Sequence, residues 1–193
     1  MRLAERLASG LAAAPPDLLG GDDAPHPPGD PVAAAVLVAI VDRAEPTLLL
    51  TVRTDTLRHH AGQIAFPGGR ADVGETPIQT ALREAREEVG LDPTRVRVVG
   101  TADAYRTITG FVVTPVVAVI PPDLPLVAND GEVAALFEVP FAFALDRANH
   151  ALRTLDWQGA PRRYREIMWG ERRIWGATAA MIVNLSRRLE LVG

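Results

Sequence analysis

Three glutamates lie close together on one predicted helix of this chain. Glu84, Glu87 and Glu88 are spaced i, i+3 and i+4, so a helical repeat of about 3.6 residues places them on one side. Neighbouring like charges repel by a few tenths of a kcal/mol per pair, and the C-terminal end of a helix also disfavours anions. A solvated acidic face is the ordinary interpretation of such a helix. Carboxylate oxygens, however, are ligands that suit Mg²⁺ and Mn²⁺, so a metal site is the alternative.

A glycine-containing turn before this helix favours the metal. It consists of Phe66, Pro67, Gly68 and Gly69, and its glycines allow the backbone to approach a ligand closely. An open backbone carbonyl there is one more hard oxygen donor beside the carboxylates. Acids and turn together therefore indicate a site for Mg²⁺ or Mn²⁺ that also meets substrate phosphates.

The limits of the helix follow from short-range signals. Thr76 is a good N-cap, Pro77 suits the first helical position, Gln79 can complete a capping box and Gly90 ends the helix, which predicts a helix over Pro77–Val89. Winding this helix gives an apolar face to bury, while Arg83 and Arg86 point elsewhere. The residues of that face are Ile78, Ala81, Leu82, Ala85 and Val89.

From Gly69 to Leu91 the sequence resembles a known family. The residues fit the pattern G-x5-E-x7-R-E-U-x-E-E-x-G-U at each fixed position, with a small Ala85 where U is a bulky apolar residue. This is the Nudix box, and the resemblance implies a pyrophosphatase that uses Mg²⁺ or Mn²⁺. It assigns the metal to Glu84, Glu87 and Glu88 with the carbonyl of Gly69.

The resemblance leaves the general base open. Glu87 or Glu88 is expected to activate the attacking water, but some members place the base on another loop, which keeps Glu132 and Glu171 as candidates. Arg83 is expected to support the site by pairing with Glu75 or by orienting a carboxylate.

Upstream of the box, a second pattern resembles the coenzyme A pyrophosphatase branch of the family. It reads L-L-T-x-R-[SA]-x3-R-x3-G-x3-[FL]-P-G-G, and only Thr54 departs from it, standing where the branch has Ser or Ala. The implied reaction cuts the diphosphate of coenzyme A, or of a derivative, to 4'-phosphopantetheine or its acyl form and adenosine 3',5'-bisphosphate. Arg53, Arg58, His60 and Gly68 are the expected substrate-binding residues.

Two other functions stay open at this point. One is a Nudix pyrophosphatase for ADP-ribose or another nucleoside diphosphate derivative, and the other is a Nudix domain that binds nucleotides without hydrolysing them. Aromatic side chains that could stack on adenine are Tyr105, Phe111, Trp169 and Trp175, although each is equally a candidate for the core.

Composition narrows the classes of protein. The chain has 193 residues, no cysteine and a net charge of −4, which excludes disulfides and thiolate sites and argues against a broad nucleic-acid surface. No apolar run approaches the roughly 18 residues of a membrane span, and we find no signal peptide. We therefore expect a cytoplasmic enzyme with a small-molecule substrate, no nucleic-acid or membrane partner, and a possible homodimer.

The elements around the box predict an α+β fold. Apolar runs indicate a buried central strand with a hairpin partner, further strands after the box helix, a hairpin about Gly170 and a closing amphipathic helix. The resemblance implies an α/β/α sandwich with a mixed sheet between helices. We expect an N-terminal helix and a Pro/Gly-rich linker over 1–31, and a Nudix domain over 32–193. The expected strands are 32–41, 48–53, 96–104, 112–120, 132–139, 164–169 and 173–175, and the other helices 1–14, 140–151 and 177–191, with a polar turn at 105–110.

Overall fold

Four helices and two sheets make up the part of the chain that the computed structural model describes, which is residues 2–13, 17–23, 27–54, 62–157 and 159–190. No helix in these ranges has both the length and the apolar character to cross a membrane. The elements in chain order are α1 (Leu3–Ala12), β1 (Val32–Val41), β2 (Thr47–Arg53), β3 (Ile64–Ala65), β4 (Gly68–Arg70), α2 (Pro77–Val89), β5 (Arg97–Thr101), β6 (Tyr105–Arg106), β7 (Phe111–Ile120), β8 (Val133–Pro140), α3 (Phe141–Leu145), β9 (Ala151–Trp157), β10 (Ala160–Trp169), β11 (Arg172–Trp175) and α4 (Ala177–Glu190).

Strand β1 is the centre of the larger sheet, as its apolar run predicts. It pairs in parallel with β7 along its whole length, from Val32 opposite Phe111 to Val41 opposite Ile120. It is antiparallel to β2 only at its C-terminal end, so the predicted hairpin is confirmed, but most of β2 pairs with β8. At its N-terminal end β1 pairs with β4, the strand that contains Gly68 and Gly69.

The larger sheet is mixed and has both faces covered. Its order is β3-β2-β1-β7-β5, with β8 beside β2, β4 beside β1 and β6 beside β7, while β11-β10-β9 form the second sheet. Alternate side chains of β1 enter two separate cores. Leu37 belongs to the first core, on one face of the sheet, and Val38 belongs to the second core, on the other face. A strand that is buried on both faces needs apolar residues at nearly every position, which is why this run lacks alternation.

Helix α2 covers one face of the sheet, and α1, α3 and α4 cover the other. Ala81, Ala85 and Val89 of α2 are fully buried against the first core. Leu7 of α1 and Leu185 of α4 belong to the second. The predicted α/β/α sandwich with a mixed sheet is therefore confirmed.

Some local predictions are wrong. The expected helix over 140–151 ends at Leu145, a short 3-10 helix follows at Arg147–Asn149, and β9, which the sequence did not predict, comes next. Tyr105 is not in a polar turn, because it lies in β6 and is buried beside β7. On α2, Ile78 is exposed, so the buried face is narrower than predicted.

The N-terminal residues share the core with the rest of the chain. Helix α1 packs so closely on α4 that a Cβ on Gly10 would lie 2.5 Å from Leu189 Cδ2. The following segment is tied down as well, since the Leu19 amide donates to the Asn184 side chain at 2.8 Å and the Tyr105 hydroxyl donates to Asp22 at 2.8 Å. The division of the chain at residue 31 stays a prediction from sequence.

Candidate active site

Helix α2, which carries the three glutamates, begins and ends where the sequence predicts. The Thr76 hydroxyl accepts a hydrogen bond from the Gln79 amide at 3.3 Å, and the Gln79 side chain accepts one from the Thr76 amide at 2.9 Å. Gly90 ends the helix in the left-handed conformation, with φ of 67°, which a residue with a side chain rarely adopts. The capping box and Gly90 thus fix which residues of α2 face the glycine turn.

The three glutamates occupy different environments. Glu88 is buried, with 3% of its surface exposed, because it lies where α2 meets β1 and β4. The side chain of Glu84 is 15% exposed and that of Glu87 is 55% exposed. One helix face therefore holds a buried, a half-buried and a solvated carboxylate.

Glu88 is held by the glycine turn and by β2. The Gly68 amide donates a hydrogen bond to Glu88 Oε2 at 3.0 Å, and Arg53 Nη1 lies 3.7 Å from Glu88 Oε1. Burial nevertheless raises the pKa of Glu88 to about 7, and these two contacts offset the effect only in part. A buried carboxylate with so little opposing charge is well suited to accept a cation.

The two glycines of the turn are needed because the backbone passes close to its neighbours. A Cβ on Gly68 would lie 2.4 Å from the carbonyl oxygen of Ala35 in β1. A Cβ on Gly69 would lie 2.6 Å from the Glu84 carboxylate. The predicted close approach at this turn is thus an approach to β1 and to a box glutamate, and it sets the Gly69 backbone against Glu84.

Arg83 connects the acids of the box. Its guanidinium donates to Glu75 at 2.8 Å, to Glu84 at 2.8 Å and to Glu87 at 3.1 Å. The predicted pairing with Glu75 is confirmed, and Arg83 also contacts Glu84 and Glu87 although its position on the helix lies beside theirs rather than on the same face. A long side chain on a helix leans along the surface toward neighbouring positions, so wheel angles alone do not exclude such contacts.

Glu75 is a structural partner rather than a free acid. It accepts hydrogen bonds from Arg83 at two oxygens, from the Asp72 amide at 3.0 Å and from the Thr80 hydroxyl at 2.9 Å. The Arg83 hydrogen bond is the largest of the causes that lower the pKa of Glu75 to about 2. Glu75 therefore stays ionised and keeps Arg83 in place.

The donor set fits a hard divalent cation. Burial is the largest cause that raises the pKa of Glu84, and the charge of Glu84 in turn adds to the effect of burial in raising the pKa of Glu88. Within the described ranges, no three acidic or histidine side chains are close enough to hold a metal as they stand, and Arg83 contacts both Glu84 and Glu87. A cation at these carboxylates would therefore compete with the Arg83 guanidinium.

The two distant candidates for the base differ in position. Glu132 is exposed just before β8, its backbone carbonyl accepts from the Thr54 amide at 3.1 Å, and its charge raises the pKa of both Glu84 and Glu88. Glu171 lies exposed in the turn between β10 and β11, and no hydrogen bond or ion pair in the described part of the chain joins it to these acids. Glu132 is thus the one placed beside the carboxylates.

The predicted substrate residues are only partly placed. Arg53 ends β2 beside Glu88, and its Nε is buried without a hydrogen-bond acceptor among the described residues. Gly68 is at the same carboxylate. Arg58, His59 and His60 lie in segment 55–61, outside the described residues.

Most of the candidate aromatic residues belong to the core. Trp169 packs on Phe143 with ring centroids 4.7 Å apart, and Tyr105 is buried with its hydroxyl on Asp22. Phe111 packs against the second core. The Arg173 guanidinium lies over the Trp175 ring, with 4.9 Å between Arg173 Cζ and the ring centroid.

One contact that supports the end of the box helix was missed from the sequence. The Asn129 amide donates to the Glu88 backbone carbonyl at 2.8 Å, and its side-chain amide donates to the Glu87 carbonyl at 3.4 Å. These bonds satisfy carbonyls at the C-terminal end of α2 that no helical amide can reach. Nothing local in the Pro/Asp-rich loop around Asn129 predicts this partner.

Comparison with known proteins extends the likeness beyond the box. A family model described as the NUDIX domain matches residues 31–161. Proteins named uncharacterized Nudix hydrolase NudL are 46% identical over 157 residues in Cronobacter sakazakii and 44% identical over 160 residues in Yersinia pestis. These matches cover 81% and 82% of this chain, and 82% and 80% of the relatives. A crystal structure of a Nudix hydrolase from M. smegmatis, RenU, is similar over 59% of this chain and 73% of that chain, with 30% identity and a TM-score of 0.51.

Proposed function

Because the chain belongs to the Nudix hydrolase family, we propose that it cleaves the diphosphate of coenzyme A or of its derivatives. The products are 4'-phosphopantetheine, or its acyl form, and adenosine 3',5'-bisphosphate. The observation that supports this choice is the meeting of two motifs at Glu88: Arg53 and Gly68 come from the upstream coenzyme A pattern, and Glu88 comes from the box. Arg53 and Gly68, which are proposed to determine substrate specificity, thus contact Glu88, which is proposed to bind the metal.

The chemistry requires charge to be neutralised. The oxygens of a diphosphate repel a nucleophile, and a bound Mg²⁺ or Mn²⁺ supplies positive charge and polarises a phosphoryl oxygen. Glu84, Glu87, Glu88 and the Gly69 carbonyl are the proposed ligands. The burial of Glu84 and Glu88 supports this set, because an ionised carboxylate away from water is stabilised by a nearby cation.

The base takes a proton from the attacking water. Glu87, Glu88 and Glu132 are the proposed candidates, of which Glu87 and Glu132 are solvated and Glu88 is buried. Glu87 can serve only when it is not held by Arg83, whereas no described residue forms an ion pair with Glu132.

Binding of the substrate is assigned to Arg53, Arg58, His60 and Gly68. A planar guanidinium such as that of Arg53 can donate two parallel hydrogen bonds to a phosphate. The buried Nε of Arg53 is one donor that a substrate phosphate would use. The Gly68 amide already shows that this turn presents a backbone donor to an anionic oxygen.

Product identification tests the proposal. The protein is incubated with coenzyme A and Mg²⁺, and the products are separated and identified by mass spectrometry. The Glu88→Gln variant, prepared in the same way, is the control for contaminating hydrolases. The expected products are 4'-phosphopantetheine and adenosine 3',5'-bisphosphate. A panel with ADP-ribose and dinucleotides runs in parallel, and much faster cleavage of ADP-ribose than of coenzyme A overturns the choice. Binding of nucleotides without any turnover would establish the third function, a non-catalytic domain.

The remaining expectations belong to the same proposal. They are a cytoplasmic location, a small-molecule substrate without a nucleic-acid or membrane partner, and a possible homodimer. Replacing Mg²⁺ with Mn²⁺ in the coenzyme A assay shows which ion supports the faster turnover.

A further inference from the structure

A cavity lined by basic side chains lies on the face of the larger sheet opposite to α2. It is a cavity of about 170 Å³ where the C-terminal half of α4 meets β10 and the segment after α3. At about 30 Å³ per water, this is roughly the volume of six waters. The lining residues are Arg147, His150, Arg165, Val183, Ser186 and Arg187.

Two of the three arginines that line this cavity have no acidic partner among the described residues. Among the described residues, the side chains of Arg165 and Arg187 form no hydrogen bond or ion pair, and the lining contains no carboxylate. Burial lowers the pKa of Arg165, and the charges of Arg187 and Arg163 lower it further. Two half-buried guanidinium groups therefore repel each other across a space open to a small ligand.

Neighbouring arginines on the same elements do have acids. Arg188 binds Asp103 at 2.6 Å, Arg163 binds Asp23 at 2.9 Å, and Arg147, at the rim, binds Glu190 at 3.0 Å. Glu190, Asp23 and Asp103 are thus already paired with other arginines. The absence of a partner at Arg165 and Arg187 is local to the cavity.

His150 and Ser186 are fixed in place by the backbone. The His150 Nε2 lies 2.8 Å from the Ala144 carbonyl oxygen, so this nitrogen carries a proton and the ring is oriented. The Ser186 hydroxyl donates to the Leu145 carbonyl, which leaves its oxygen as an acceptor only. The donors available to a ligand are therefore the guanidinium groups, which suit a tetrahedral oxyanion.

The cavity is separate from the candidate active site. Thr178 near the start of α4 bonds to the Ile64 carbonyl, on the strand that pairs with β2, whereas Arg187 is nine residues further along the helix. At about 1.5 Å per residue, this separates the two ends by roughly 13 Å along the helix axis. The sheet itself lies between the cavity and α2.

We propose that Arg165 and Arg187 form a binding site for a phosphate dianion, either free phosphate or the terminal phosphate of a monoester, distinct from the diphosphate-cleaving site. The ligand would replace the missing carboxylates and relieve the repulsion between the two guanidinium groups. This inference does not depend on which diphosphate the enzyme cleaves.

An NMR titration tests the site. The full chain, labelled with ¹⁵N and kept in EDTA at constant ionic strength, is titrated with inorganic phosphate, and amide shifts are followed at His150, Arg165 and Ser186. Saturable shifts at these amides are expected. Arg165→Gln and Arg187→Gln should each weaken binding at least tenfold, whereas Arg97→Gln, an exposed arginine on β5, should not change it. Saturation confined to Gly68 and Gly69, no saturable shift, or unchanged binding by Arg165→Gln overturns the proposal.

A second probe and a folding control complete the test. AMP presents the same phosphate as a monoester: binding of both probes at these amides identifies a terminal phosphate, and binding of inorganic phosphate alone restricts the ligand to the free ion. Because each variant removes one of two repelling charges, its melting temperature without phosphate should equal or exceed that of the parent protein. A lost response in a variant of normal melting temperature is therefore a loss of binding.

Discussion

The backbone amide of Gly68 donates a hydrogen bond to the buried Glu88 carboxylate, with 3.0 Å between Gly68 N and Glu88 Oε2. This bond joins β4 to α2 across the edge of β1, which pairs with Gly68 at Val36. The glycine turn and the box helix therefore form one unit, and a substitution in either should change the position of the other.

Glu88→Gln should abolish metal binding without unfolding the protein. The substitution keeps the shape and an acceptor for the Gly68 amide but removes a buried charge, so stability in EDTA at pH 8 should be unchanged or higher. Turnover should fall by about two orders of magnitude or more. The measurements are Mn²⁺ binding by electron paramagnetic resonance, steady-state rates and thermal unfolding. Glu45→Gln, in the exposed turn between β1 and β2, is the control, and near-normal activity of Glu88→Gln would refute the metal assignment.

Alanine at the two glycines of the turn should have opposite main effects. Gly68→Ala places a methyl group against the Ala35 backbone carbonyl, which cannot move without disturbing β1, so we expect a loss of about 1–3 kcal/mol in unfolding free energy. Gly69→Ala meets the end of the Glu84 side chain, which can turn away. Gly69→Ala should therefore lower the unfolding free energy less than Gly68→Ala does, and should lower the affinity for Mn²⁺ more. Denaturant unfolding and Mn²⁺ titration of both variants separate the effects, and the reverse order contradicts the geometry.

Arg83→Lys should destabilise the metal-free protein more than the Mg²⁺-bound protein. Lysine keeps the charge but cannot bridge Glu75, Glu84 and Glu87 at once, which should cost about 1–2 kcal/mol in EDTA. Mg²⁺ should recover part of this loss because it binds carboxylates that Arg83 otherwise neutralises. Urea unfolding with and without Mg²⁺ measures the difference. Arg86→Lys, exposed on the same helix, should change little, and an equal loss of stability in both solutions would argue against competition between Arg83 and the metal.

The Glu75–Arg83 pair should add a pH dependence to stability. The folded pKa of Glu75 is lowered to about 2 from an ordinary 4.5, so the unfolded chain binds the proton more readily between these values. The stabilisation is present above pH 4.5 and is lost as the pH falls toward 2. The unfolding free energy of Glu75→Gln should therefore lie below that of the parent protein at pH 6 and approach it near pH 2. Parallel urea titrations across this range check it, and a gap that stays constant with pH shows that the pair is not responsible.

Much of the fold could be predicted because its signals are local or follow from burial on both faces. The limits of α2 depend on Thr76, Pro77 and Gly90, each of which acts within one helical turn. The apolar run of β1 indicates a strand that is buried on both faces, and its side chains do enter two cores. Strand β9 gave no such signal, because its side chains are largely exposed and its Leu152 is 51% exposed. Pairing with β10, rather than burial, makes it a strand.

The common helix face of the three glutamates could be predicted from the sequence, but their different environments could not. Helical spacing places Glu84, Glu87 and Glu88 on one side of α2, yet only the packing of α2 on β1 and β4 makes Glu88 buried and Glu87 solvated. The contact of Asn129 with the end of α2 joins residues that are distant in sequence, and no short pattern carries that information.

The long parallel pairing of β1 with β7 bears on how the chain folds. Val32 and Phe111 are neighbours in the sheet although all of β2, β3, β4 and α2 lie between them in the chain. Closing such a long loop costs entropy before any contact compensates for it, and non-local pairings slow folding. During synthesis, the box helix therefore emerges before β7, the strand that completes the parallel pairing with β1.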